Sequence, residues 1–123
     1  MTLEELYSKM GGNFAHAKQI MKMDKLIDKY IRRLKDSNFD ERMAIAAETM
    51  DSTGLFESAH AMKGVCANLG LDELADAAEE ITEEFRPGNA RKLTDEEAGA
   101  KVAAALEKYR YSLACIKEYE SAL

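Results

Sequence analysis

The sequence predicts an all-α protein, and three observations carry that reading. Proline occurs once and glycine seven times in 123 residues, while Ala, Leu, Met, Glu and Lys, which favour helices, are plentiful. Apolar residues recur every three or four positions along successive segments, the spacing that gives a helix one buried face. Capping signatures stand where those segments begin. Burying the stripes most simply gives an antiparallel four-helix bundle over residues 24–122, with short N-terminal lid helices over 1–22, in a single domain 1–123. A chain of this length buries roughly two-thirds of the surface its unfolded form exposes and needs no disulfide or metal staple.

Each element has a local cause. Thr2 with Glu5 forms a capping box that opens a short helix ending before Gly11-Gly12, and Asn13 caps a second from Phe14 to about Met21. Leu26, Ile27, Tyr30, Ile31 and Leu34 set an amphipathic stripe from Asp24 to Lys35. After the turn Asp36-Ser37-Asn38, Asp40 is placed to cap a helix that turns Met43, Ala46, Ala47 and Met50 inward and ends near Asp51. The next helix starts between Ser52 and Gly54 and runs to Leu69, where Gly70 supplies a left-handed residue without a Cβ clash. Leu71, Leu74, Ala75, Ala78, Ile81 and Phe85 define a further stripe, stopped at Arg86-Pro87-Gly88-Asn89. A second capping box, Thr94 with Glu97, opens a final helix of about 28 residues through Val102, Leu106, Tyr109, Leu113, Ile116 and Tyr119.

Charge narrows the partners. A net charge of -6 argues against a nucleic-acid backbone, which requires accumulated cations. The basic run Lys22, Lys25, Lys29, Arg32, Arg33, Lys35 and the acidic run Asp72, Glu73, Asp76, Glu79, Glu80, Glu83, Glu84 read as solvated helix faces. Cys66 and Cys115 lack the paired spacing of a zinc or redox motif and read as small core residues. No apolar run approaches the roughly 20 residues that span a bilayer, and the charged N-terminus lacks a secretory signal, so the expected home is the cytoplasm. The length and the start at Met1 suggest a free-standing protein, expected to be a monomer.

The chemistry gathers on the helix before Gly70. At about 100° per residue, Leu55, Ser58, Ala59, Met62, Val65, Cys66 and Leu69 share the core side, while His60, Lys63, Gly64 and Ala67 fall roughly opposite, flanked by Phe56 and Glu57. An imidazole is a nucleophile near neutral pH and can take a covalent phosphoryl group. Lys63, one turn along, would neutralise charge on the phosphoryl oxygens. Gly64 would leave the approach open, at a cost of about 1 kcal/mol in a helix interior. An exposed histidine beside a lysine is ordinary on an amphipathic helix, so these residues alone do not decide the function.

The wider context does more. Ala59-His60-Ala61-Met62-Lys63-Gly64, followed by Asn68-Leu69-Gly70-Leu71, closely resembles the signature of histidine-containing phosphotransfer (HPt) domains, A-H-x-hydrophobic-K-G and then L-G. The likeness extends through Leu74 and the acidic run and, in helix order, across nearly the whole chain, although it says little of Thr2 to Met21. It implies that His60 is the phosphoacceptor, Lys63 assists the phosphoryl group and Gly64 clears its approach. Several members carry a glutamine on the following helix that bonds the histidine ring or its phosphoryl group; the corresponding position here is Thr82, whose shorter hydroxyl would act through water.

The function so implied is a phosphorelay carrier. An aspartyl phosphate on a response-regulator receiver domain passes its phosphoryl group to His60, which gives it to another receiver, within a pathway fed by a hybrid histidine kinase. No P-loop or kinase glycine-rich loop is present, so the chain is expected to be a carrier without kinase activity. No cofactor is expected on this chain, and Mg²⁺ would belong to the receiver. Phe56, Glu57 and Ala67 are candidates for the docking surface. A silent helical adaptor and a phosphoacceptor domain of a larger histidine kinase are the rival readings. A di-iron carboxylate bundle fits less well: Glu57 and His60 form one Glu-x-x-His, but His16, the other histidine, has Asn13 at that spacing.

Overall fold

The computed structural model describes residues 1–123. Its elements are α1 (Leu3–Met10), α2 (Phe14–Met21), α3 (Asp24–Arg33) running into a 3-10 turn (Leu34–Asp36), α4 (Phe39–Glu48), α5 (Ser52–Asn68), α6 (Asp72–Phe85) and α7 (Asp95–Ser121), with no strand. The protein is all-helical.

Several helix ends sit where the caps put them. Thr2 Oγ1 accepts the Glu5 N–H at 3.1 Å while Glu5 accepts the Thr2 N–H at 3.3 Å. Thr94 and Glu97 repeat the exchange at 3.1 and 3.0 Å, and Asn13 Oδ1 accepts the His16 N–H at 2.9 Å. Asp40 does not cap α4. The helix begins one residue earlier, at Phe39, after Asn38 in a left-handed conformation with φ 57° and no side-chain cap bond. Burial of the Phe39 ring sets that start, and Asp40 lies within the first turn, 3.4 Å from Arg110 Nε. The helix also stops at Glu48, short of Asp51, where Met50 turns left-handed at φ 53° and the Asp51 N–H donates to Ala46 O at 2.8 Å.

Residues 24–122 hold five helices, one more than the stripes were grouped into. The helix bearing the motif, α5, packs against α4 and α6, and α7 packs against both of those in turn. The shorter α3 lies against α2 and α7. Two tyrosines of α7 fasten it: Tyr109 donates its hydroxyl to Leu34 O at 3.1 Å, and Tyr119 to Asp28 Oδ1 at 2.5 Å. At 27 residues, α7 extends about 40 Å.

One continuous apolar cluster fills the interior, and the N-terminal helices belong to it through Leu6, Tyr7 and Ala17. Tyr7 donates its hydroxyl to Leu69 O at 2.6 Å, and the Asn13 N–H donates to Gly70 O at 2.7 Å. Gly70 has φ 71°, and a Cβ there would lie 2.5 Å from Asn13 O, so both backbone conformation and close packing require glycine. His16, read as a surface residue, is partly exposed and joins α2 to α6 through Nδ1, 2.7 Å from Asp72 Oδ1. Cys66 and Cys115 are buried free thiols. Burial pushes the Cys66 thiol up to about 12, which keeps it protonated and unreactive near neutral pH.

Candidate functional site

The core side of α5 follows the wheel, with Leu55, Ser58, Ala59, Met62 and Cys66 fully buried. Ser58 is satisfied within the helix, donating its hydroxyl to Gly54 O at 2.7 Å. Val65 is the exception. It is 37% exposed and lines a groove with Met21, Tyr30, Leu34 and Asn68.

On the opposite side His60, Gly64 and Glu57 are exposed, and Phe56, Lys63 and Ala67 are half-buried. The six residues read as one surface therefore share it. A Cβ added to Gly64 would meet no heavy atom within 4 Å, so the helix surface beside His60 is open. The His60 ring lies nearly parallel to that of Phe56, with centroids 5.5 Å apart and planes 9° apart, one turn back on the same helix. Stacking of this kind limits the directions in which the imidazole can turn.

Two contacts from α6 and its C-terminal end complete the site, and neither was read from the sequence. The Arg86 guanidinium lies over the Phe56 ring, 5.4 Å from its centroid. Glu83 Oε1 accepts from Arg86 Nε and Nη2 at 3.0 and 2.8 Å, and this pairing holds the Glu83 carboxyl below its ordinary range. The second contact engages Lys63, whose Nζ lies 3.2 Å from Glu79 Oε2. The lysine of the motif thus already has an anionic partner within the fold. An acidic helix following a lone lysine was the available signal, but helix spacing within one segment does not give the register between two.

Two expectations for α6 need correction. Thr82 is fully buried, and its hydroxyl donates to Ala78 O at 2.8 Å, one turn back on its own helix. A hydroxyl sealed in the core and already bonded does not reach the His60 face, directly or through water, so Thr82 is a packing residue. Nor do all the acidic residues of α6 face solvent. The Glu84 side chain is 6% exposed. Glu84 Oε2 accepts from Arg91 Nε at 2.6 Å and from the Leu93 N–H at 3.0 Å, and Oε1 accepts the Lys92 N–H at 3.2 Å. Burial pushes this carboxyl up, but those donors outweigh it and hold it below the ordinary carboxylate value. Glu84 thus organises the loop between α6 and α7.

No group of three or more His, Cys, Asp or Glu side chains is placed to hold a metal ion, and no helix is long and apolar enough to cross a membrane. The all-helical fold and the histidine-lysine-glycine face are consistent with a histidine phosphotransfer module, and the family comparison decides the class: the chain matches the Hpt domain family over residues 18–112. It belongs to that family. Hpt domains are histidine-containing phosphotransfer modules of two-component signalling, phosphocarriers that work with receiver domains and histidine kinases in phosphorelays. No curated protein and no solved structure matches the chain.

Proposed function

We propose that this chain is a phosphorelay carrier in which His60 accepts a phosphoryl group from a receiver-domain aspartyl phosphate and returns it to another receiver. The observation that carries the proposal is the exposed His60 beside an unobstructed Gly64. A ring nitrogen of neutral His60 attacks phosphorus with its lone pair as the bond to the aspartate oxygen breaks. The carboxylate leaves with the bonding electrons, and the N–H proton stays on the other ring nitrogen. Lys63 supplies positive charge to the phosphoryl oxygens, and Gly64 gives the incoming receiver loop room to approach. Phe56, Glu57 and Ala67 contribute the docking surface around the ring. Mg²⁺ belongs to the receiver's acidic pocket, and no cofactor is assigned to this chain. The arrangement supporting the site is an antiparallel bundle of α4 to α7, covered at one end by the N-terminal helices.

The test is direct. A purified phosphorylated receiver should transfer acid-labile label to the wild-type protein, and His60→Gln should take none while keeping its helical circular dichroism. Undiminished labelling of His60→Gln would place the phosphoacceptor elsewhere and defeat the proposal.

A further inference from the structure

We propose that Glu79 is a positioning residue of the phosphoryl site, holding the Lys63 ammonium on the α6 side of His60 so that the lysine must be shared when His60 is phosphorylated. The inference rests on His60 being the phosphoacceptor. Its starting point is an anomaly in the pair. Glu79 Oε2 is sealed from solvent and takes no hydrogen bond, yet Lys63 Nζ lies 3.2 Å from it. The Glu79 side chain is 38% exposed as a whole, but this one oxygen has lost its water and gained no aligned donor, and Lys63 is the cation paired with it. The ammonium is therefore held by charge, not fixed by directional bonding, and can be drawn toward another anion nearby.

Phosphorylation supplies that anion. Transfer to His60 breaks the bond between phosphorus and the donor oxygen, forms one to a ring nitrogen and brings phosphoryl charge onto the face that Lys63 borders. Two anions then compete for one ammonium, which costs the phosphorylated state some of the stabilisation that Lys63 would otherwise give it. Glu79 consequently raises the tendency of phosphorylated His60 to give its phosphoryl group away, a useful property in a carrier. One charge acting through partly exposed surroundings changes the transfer equilibrium by about three- to tenfold.

The experiment uses the full chain and potassium phosphoramidate, a small donor whose phosphorus-nitrogen bond breaks to release ammonia as the bond to His60 forms. At fixed phosphoramidate and ammonium, the ratio of phosphorylated to free His60 should be about three- to tenfold higher in Glu79→Gln than in wild type, while Glu79→Asp, which keeps the charge, stays nearer wild type. Phosphorus NMR should show the phosphoryl group of Glu79→Gln titrating at lower pH, because a freed ammonium favours its more ionised form. A purely structural Glu79 would leave that titration in place. If wild type is labelled on His60 and Glu79→Gln matches it in both ratio and titration, Glu79 has no such role and the carrier reading stands. If wild type takes no label on His60, the carrier reading and this inference fall together.

Discussion

Replacing Gly64 by alanine should make the protein more stable and a poorer phosphoryl acceptor at once. Gly64 lies inside α5, where alanine is favoured by about 0.5–1 kcal/mol through reduced backbone freedom in the unfolded chain and better helix propensity. That gain is undiminished by steric conflict, because the added methyl would meet nothing within 4 Å. With an unfolding entropy of about 2.1 cal/mol/K per residue, a chain of 123 residues converts this into a Tm rise of about 2–4 °C. In the proposed carrier mechanism the same methyl would stand in the path of the phosphoryl group and the receiver loop, and a displacement of about 1 Å from reacting geometry can cost up to about a hundredfold in rate. Calorimetry and initial rates of transfer from a phosphorylated receiver measure the two effects on one preparation. Gly54 in the same helix provides the contrast, since a Cβ there would lie 2.9 Å from Ala46 Cβ and 2.7 Å from Asp51 Oδ2. Gly54→Ala should therefore lower Tm, because about 1–3 kcal/mol of overpacking is only partly offset by propensity. A Gly64→Ala protein that melts below wild type, or one that accepts phosphoryl at the wild-type rate, would refute the argument that openness is what this glycine provides.

Two further changes probe the scaffold. Glu84→Gln should destabilise by about 2–3 kcal/mol at pH 7 by weakening a buried acceptor of three donors; because the folded carboxyl titrates below its ordinary value, this contribution is present above about pH 4.3 and lost as pH falls through the folded value. Urea titrations of both proteins at stepped pH should thus converge in acid. Tyr7→Phe should cost about 1–2 kcal/mol through the lost bond to Leu69 O, which is 2.6 Å long and buried, with a lower urea midpoint and an unchanged m-value as the check.

What could be read from the chain was whatever depends on neighbours three or four residues apart. The caps at Thr2, Asn13 and Thr94, the stop at Pro87 and the left-handed Gly70 are local, and the structure has them all. The outward face of His60 followed from the same periodicity. Asp40 failed as a cap because burial of Phe39 set the start of α4, and a tertiary contact overrode a local preference. Val65 failed because the wheel gives an azimuth and not the neighbour that fills it. Lys63 with Glu79, Phe56 with Arg86 and Glu84 with Arg91 all depend on how two segments register side by side, which spacing within one segment does not encode. Glu84 was misjudged on composition alone, since a glutamate inside an acidic run looks solvated until a loop folds back to supply its donors.

The N-terminal helices reach into the far end of α5 through Tyr7, Asn13 and Ala17, whereas the family match opens inside α2 and closes inside α7 at residues 18–112. Recognition by sequence and the extent of the packed core thus have different borders in this molecule. A domain excised along the narrower border would forfeit the aromatic plug under Leu69 and the backbone clasp at Gly70. Grafting the module into another protein calls for the wider border, with both flanking segments carried along.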